Sequence, residues 1–323
     1  MRIRSLVCLL SGLLFTTQLP LTHALQSPQS PDDSASFVGR WDISLHAPEH
    51  NYGSWLEISS SSGTLSGRMV GKWGHAHPVL DVEVRDGELT FTEPGREEGF
   101  SQDVVFHGRF VDGKLTGDAS GPKGLQWTWS GRRAPSLARS SPPHWGQPIS
   151  LFNGKDTQGW TFTDPQNAGN WTVKDAVLTT SRSGSEIVTE RKFNDFKLHV
   201  EFNCTAKCNS GVYLRGRYEV QVADPGTISD ANRRMGAIYG YIAPSPAISF
   251  HPGEWETYDI TLVGRTVTVK YNGQTVIDKQ EIPGVTGGAL DSDEGEPGPI
   301  YLQGSENAAP TSFRNLIIVP ATD

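Results

Sequence analysis

Asn209-Ser-Gly-Val-Tyr-Leu-Arg-Gly-Arg-Tyr-Glu-Val-Gln-Val-Ala-Asp224 decides how the rest of the chain is read. It divides into two short strands joined at Gly216-Arg217, with residue types alternating along each. Strand side chains point to opposite faces with a period of two. In the second strand Tyr218, Val220 and Val222 therefore share an apolar face, and Glu219 and Gln221 share the other. In the first strand Val212 and Leu214 oppose Tyr213 and Arg215 in parity, and Asp224 stands just past the end of the unit. An Arg, a Tyr, a Glu, a Gln and an Asp converging on one sheet surface make a polar set suited to a sugar or another hydroxylated ligand. The same alternation is what any half-buried antiparallel strand shows, so the spacing alone leaves an ordinary solvated face equally open.

Outward from this unit the chain continues as strands. Phe193-Asn-Asp-Phe-Lys-Leu-His-Val-Glu-Phe202 reads as one long strand with Phe196, Leu198, Val200 and Phe202 on one side. Segments 255–263 and 266–271 follow, and Asn272-Gly273 joins the latter to Thr275-Val-Ile277, a strong hairpin signal. Segments 300–303 and 313–319 close the region. Nothing has the period of a long amphipathic helix; residues 229–235 form one turn at most. A two-layer antiparallel sandwich over 149–320 is the economical architecture. Cys204 and Cys208, four residues apart, read as a disulfide across the turn just before Asn209.

Residues 37–133 are a series of short strands with polar turns, two of them Asp86-Gly87 and Asp112-Gly113. This spacing predicts a small antiparallel meander closed or nearly closed into a barrel. Gly39-Arg-Trp41 and Trp127-Thr-Trp-Ser-Gly-Arg132 would then be neighbours. His75-Ala-His77 puts two imidazoles on one strand face, as some metal sites begin, but the sequence offers no third ligand and the expectation is of surface histidines. Residues 134–148, with Pro135, Pro142, Pro143 and Pro148, read as a linker. Residues 1–24 have the pattern of an export signal: Arg2 and Arg4, then an apolar run, then Thr22-His-Ala24 as cleavage site. Residues 25–36 follow as a flexible leader, and the protein is expected in the periplasm or outside the cell.

Length and charge set further bounds. A chain of 323 residues suggests about two domains. The formal charge is −8 with no basic patch, which argues against nucleic acid as a partner. No stretch beyond the signal is apolar for long enough to span a bilayer. The acidic run Asp291-Ser-Asp-Glu-Gly-Glu296 lacks the spacing of a calcium loop and reads as a solvated loop tip.

From residue 149 to 319 the chain resembles the 3-keto-disaccharide hydrolase domain family, long catalogued as a domain of unknown function. The resemblance rests on Leu151-Phe-Asn-Gly-Lys-Asp156, Gly159-Trp160, Asn209-Ser-Gly-Val-Tyr-Leu-Arg215, Tyr218-Glu-Val-Gln-Val-Ala-Asp224, Gly236-Ala-Ile-Tyr239, Gly253-Glu-Trp255, Asn272-Gly273, Gly298-Pro-Ile300 and Phe313-Arg-Asn315. It implies a concanavalin-like jelly roll preceded here by the small barrel, an all-β protein throughout. It also implies cleavage of the glycosidic bond in sugars already oxidised at carbon 3, with a carbohydrate as the ligand. Carried over position by position, it marks Arg215, Glu219, Gln221 and Asp224, with Tyr239, Glu254 and Gln303 around them. Two positions depart from the family's pattern: Glu256 stands where an Asn is usual, and Gly304-Ser-Glu306 where many members carry Asp-His-Gly.

A ketone at carbon 3 acidifies the hydrogen on carbon 2, so a base can remove it and the glycosidic oxygen can leave carbon 1. Water adding back gives net hydrolysis. Such a site needs a base, a stabiliser for the enolate oxygen and an acid for the leaving oxygen. The implied roles are Glu219 as base, Arg215 with Gln221 as enolate stabiliser, and Asp224 or Glu254 as acid. Tyr213, Tyr239, Gln303 and His251 are expected to contact the ligand. A divalent cation could replace the arginine, ligated by Glu219, Asp224 or His251; no other cofactor is implied. Two other classes stay open: a carbohydrate-binding module without catalysis, and an envelope scaffold using the barrel as its interaction module.

Overall fold

Asp86 and Gly87, like Asp112 and Gly113, take positive φ at both central turn positions (51° and 71°; 50° and 79°). That geometry matches the right-handed twist of the strands it joins, so each Asp-Gly closes a tight hairpin. The computed structural model describes residues 34–47, 50–180, 186–305 and 309–323. The expected signal 1–24, most of the leader, and Glu306 lie outside the described residues.

Eight strands form the first unit. They are β1 (Gly39–His46), β2 (Asn51–Ser61), β3 (Thr64–Val70) and β4 (Ala76–Arg85), then β5 (Glu88–Glu93), β6 (Val104–Val111), β7 (Lys114–Ser120) and β8 (Gln126–Arg133). Each pairs with the next, and β1 pairs with β8 in a register that sets Trp41 against Arg133 and Leu45 against Trp129. The barrel is closed, which leaves no free sheet edge. Trp41, Leu45, Phe91, Phe106 and Trp129 fill it, and the Trp41 indole donates to the Phe37 carbonyl at 2.9 Å.

Among the described residues the second unit holds thirteen strands. Its first part comprises β9 (Ile149–Ser150), β10 (Trp160–Phe162), β11 (Trp171–Lys174), β12 (Val177–Thr180) and β13 (Ile187–Phe193). Next come β14 (Phe196–Cys204), β15 (Asn209–Leu214) and β16 (Tyr218–Ala223). The last are β17 (Trp255–Val263), β18 (Thr266–Tyr271), β19 (Gln274–Glu281), β20 (Gly298–Leu302) and β21 (Thr311–Pro320). A five-stranded sheet, β10-β13-β20-β15-β16, faces a larger one, β11-β12-β21-β14-β17-β18-β19 with β9 on β21. Phe196, Leu198, Val200 and Phe202 from one layer meet Val212, Leu214, Tyr218, Val220 and Val222 from the other. The expected all-β architecture, a barrel followed by a sandwich, is what the structure shows.

Two local expectations need correction. The strand read from Phe193 breaks at Asn194-Asp195, because Asp195 turns inward to accept the Gly264 N–H at 2.7 Å and pair with Arg139 at 3.0 Å. Phe193 therefore ends β13 and Phe196 begins β14. The single turn expected within 229–235 is present, as the 3-10 turn Ala231–Arg233. The acidic segment 291–296 is not a solvated tip: Ser292 and Glu294 are buried against the barrel.

That burial belongs to a continuous seam between barrel and sandwich. Trp55 and Val70 of the barrel pack on Val285 and Ala289, with Tyr241 edge-on to Trp55 at 5.6 Å. The Gly287 N–H and the Thr286 hydroxyl both donate to the Gly74 carbonyl, at 2.8 and 3.1 Å. Arg132 pairs with Asp293, and Arg265 donates to the Pro135 carbonyl at 3.0 Å. Cys204 and Cys208 form the expected disulfide between β14 and β15, with Cα atoms 5.7 Å apart. Among the described residues no helix is long and apolar enough to cross a membrane.

Candidate functional site

The register of β15 on β16 sets Tyr213 opposite Glu219 and Gly211 opposite Gln221. Directly paired residues share a sheet face, so these four look away from the core that Val212, Leu214, Tyr218, Val220 and Val222 fill. β20 pairs with β15 at Tyr301–Tyr213, and the two rings stack with centroids 4.0 Å apart. The Gln303 N–H donates to the Gly211 carbonyl at 3.0 Å and carries Gln303 onto the same surface.

Glu219 lies on β16, the last strand of this sheet, opposite Tyr213, and keeps only 3% of its surface exposed. The Tyr213 hydroxyl bonds its carboxylate and accepts the Gly288 N–H at 2.9 Å. Burial first, then the Glu219 charge, pushes the Tyr213 phenol well above its ordinary range, so it remains a donor. A Cβ at Gly211 would stand 2.5 Å from one Glu219 oxygen, and a Cβ at Gly287 2.2 Å from the other. Gly287 also has φ +62°, where a side chain is strained. Two glycines thus leave the room the carboxylate occupies. The Gly287-Gly288 turn roofs the carboxylate.

The rim is more accessible. The Tyr239 N–H donates to the Glu219 carbonyl at 3.0 Å, and the half-buried Tyr239 ring lies 5.5 Å under the Arg233 guanidinium. Gln221 is buried, donating to the Arg233 carbonyl at 3.2 Å while its amide oxygen accepts from the Val222 N–H at 3.1 Å. It anchors the Arg233 turn instead of offering its amide to a ligand. Gln303 and Asn209 are half-buried and Gly288 is exposed.

Several expected residues are elsewhere. Arg215 has φ +54° and begins the turn, with Gly216 following at +67°. The reversal drops its side chain onto the Tyr218 side, where its guanidinium bonds the Tyr218 hydroxyl at 2.9 Å and the carbonyls of Gly264 and Glu294 at 3.0 and 3.3 Å. It is buried on the opposite face from Glu219 and is not an enolate stabiliser. Tyr213, fully buried, clamps Glu219 and is not a ligand contact. Asp224 caps the following 3-10 turn by accepting the N–H groups of Gly226 and Lys207, at 2.8 and 2.9 Å. Glu254 and His251 are exposed in the turn before β17, a strand of the other sheet. Beside them Glu256 is buried, held by the Tyr271 hydroxyl, and burial raises its pKa. Glu219, Asp224 and His251 are not brought within ligating reach of one another.

Sequence reasoning missed Arg233 and Tyr301. Tyr301 could have been found from parity, since it lies between the inward Ile300 and Leu302. Arg233 sits in an irregular segment with no period to read; only its closeness to Gly236-Ala-Ile-Tyr239 pointed there. A cavity of about 180 Å³ lies elsewhere, at the barrel mouth beside Tyr52, Glu98, Phe100 and Trp127.

In outline, the outward face offers a carboxylate fixed by a phenol, with a guanidinium and a second phenol at its edge. Comparison with known proteins gives this arrangement a context. Residues 147–319 match the model of the 3-keto-alpha-glucoside-1,2-lyase-like domain. A 3-keto-disaccharide hydrolase of Bacteroides thetaiotaomicron is 23% identical over 166 residues, 40% of this chain and 57% of the relative. The match thus spans little more than half of that protein's length. A crystal structure of a candidate glycosyl hydrolase from Parabacteroides distasonis is 30% identical, with a TM-score of 0.45, covering 62% of this chain and 98% of that one. A second candidate glycosyl hydrolase from the same organism is 21% identical with a TM-score of 0.44, covering 55% and 94%.

Proposed function

Because the chain belongs to the 3-keto-alpha-glucoside-1,2-lyase-like domain family through residues 147–319, we propose that it cleaves the glycosidic bond of sugars carrying a ketone at carbon 3. Family and relatives make it a glycosyl-hydrolase-like, carbohydrate-active protein; the keto substrate is the finer reading. The observation that carries it is the Glu219 carboxylate on the outward sheet face, fitted between Gly211 and Gly287 and held by Tyr213.

In this reading Glu219 takes the proton from carbon 2, and the electron pair passes into the enolate of the carbon-3 ketone. The enolate then reforms the ketone, makes the double bond between carbons 1 and 2, and expels the glycosidic oxygen. Arg233 replaces Arg215 as the cation facing the enolate oxygen, and the Tyr239 phenol protonates the leaving oxygen. Water adding to carbon 1 would complete a hydrolysis. The charged start at Arg2 and Arg4 and the Cys204–Cys208 disulfide support an exported location.

The test is to incubate the purified protein with 3-keto-glucosides and with their unoxidised parents. Release of the leaving group from the keto forms alone is expected. Thermal stabilisation by either sugar without release would replace the enzyme by a binding module, and cleavage of the unoxidised parents would remove the elimination chemistry.

A further inference from the structure

His75 stands just before β4 and His77 within it, so both imidazoles leave the same side of the chain. The strap that follows β5, with its 3-10 turn Gly95–Glu97, brings a carboxylate to them. Glu97 Oε2 lies 3.0 Å from His75 Nε2 and 3.9 Å from His77 Nδ1. One ligand atom from each of the three falls within 4.8 Å of the others. Tetrahedral coordination at about 2.0–2.2 Å sets donors about 3.3 Å apart, so the set closes on a metal once His77 Nδ1 exchanges its 3.2 Å contact with the His75 carbonyl for the ion.

The surroundings fit a cation better than a set of structural ion pairs. Glu93, Glu97 and Glu98 are all buried here, Glu93 completely. No backbone N–H, hydroxyl or cationic side chain satisfies either Glu93 oxygen. His77 Nε2 faces Glu93 Oε1 at 3.0 Å without making a hydrogen bond. The guanidinium within reach, that of Arg96 on Glu97 at 2.9 Å, belongs to a largely exposed side chain. Glu98 is satisfied by the Tyr52 hydroxyl at 2.7 Å and the Lys72 N–H at 2.9 Å, but Glu93, with only the Glu98 carboxyl and the unbonded His77 ring beside it, is costly to bury unless it is paired or backs a metal ligand. Gly71 makes the space, since a Cβ there would come within 2.4 Å of Glu93 Oε1.

We propose that His75, His77 and Glu97 bind one divalent first-row transition-metal ion of the zinc class, with the Glu93 carboxylate behind the His77 ring. Two imidazoles and a carboxylate suit zinc, cobalt or iron(II) over calcium or magnesium, which prefer oxygen. The backing carboxylate orients the imidazole, as outer-sphere groups commonly do in such sites. The site lies in the barrel, outside the family-matched residues, and stands independently of the sugar reading. It also borders the seam: a Cβ at Gly240 would be 2.6 Å from His75 Cα, and the charge of Arg233 acts on His75. A bound ion would fasten β4 and the 95–97 strap beside the rim of the outward face.

The full chain, stripped with chelator, is titrated with Zn²⁺ and with Co²⁺. One equivalent should bind, and the cobalt form should show visible absorption bands of low coordination number. His75→Gln and Glu97→Gln should each weaken binding by at least about 100-fold and Glu93→Gln by about 10–100-fold, with unchanged far-ultraviolet circular dichroism. His144→Gln, at an exposed surface pair with Asp323, should change nothing. X-ray absorption at the zinc edge of the wild-type protein, which needs no variant to fold, should report two imidazole nitrogens. Absence of saturable binding, an edge spectrum without imidazole, or one-equivalent binding that survives both substitutions would each overturn the site.

Discussion

On one face of the β15–β16 hairpin, near its turn, Glu219 looks outward beneath the Gly287-Gly288 turn; on the other, Arg215 looks inward onto Tyr218 and Glu294. Both are charged, both are 3% exposed, and they are four residues apart. Glu219 is held by one phenol and two close-fitting glycines, with half-buried Tyr239 and Arg233 near its edge. Arg215 is held by a phenol and two carbonyls within a network of buried groups, the Tyr218 hydroxyl and Arg265 both bonding Glu294, at 2.5 and 2.9 Å. Burial alone therefore does not mark a functional residue. What separates the two is the face each looks to: Glu219 has the half-buried Tyr239 and Arg233 of the rim near it, whereas Arg215 is enclosed with Tyr218, Glu294 and Arg265.

Removing each charge should separate the two faces. Glu219→Gln keeps the shape and removes the base, so kcat/KM toward a 3-keto-glycoside should fall about 10³-fold, roughly 4 kcal/mol of transition-state stabilisation. The unfolding midpoint should scarcely move. Arg215→Ala should do the reverse: about 3 kcal/mol lost in urea unfolding, because buried carbonyls of Gly264 and Glu294 lose their donor, with kcat/KM of the folded protein unchanged. A turnover defect in Arg215→Ala without a stability defect would break the comparison.

How far the sequence could be read follows the same division. Within β15 and β16 alternation placed every side chain on its correct face, because pleating fixes parity wherever the strand is regular. It failed at Arg215, where two consecutive positive φ values rotate the chain out of the pleat. Strand pairing and the Asp-Gly and Asn-Gly turns made the barrel and sandwich legible, since those signals are local. The seam was not legible. The acidic run 291–296 reads as solvent-facing until Arg132, Arg265 and Arg217, all distant in sequence, are seen to meet it. Glu97 was hidden for the same reason: nothing local ties a residue of the 94–98 strap to His75 twenty-two positions earlier.

The buried network behind Arg215 should also respond to pH. Asp42 is buried against Glu294, and burial first, then the Glu294 charge, pushes its pKa up to about 9. Asp42 accordingly keeps its proton in the folded protein and shares it with Glu294. In the unfolded chain that proton leaves near pH 3.8. Between these values the folded state binds one more proton, so stability falls as pH rises, by at most about 1.4 kcal/mol per unit. Between pH 6 and pH 8 this amounts to at most about 2.7 kcal/mol. Asp42→Asn supplies a permanent N–H donor in place of the shared proton and should flatten this part of the slope, which the difference between wild-type and variant unfolding curves at the two pH values isolates from every other titrating group. Parallel curves would mean that the Asp42–Glu294 contact carries no proton, and that the network around Arg215 is held by its arginines alone.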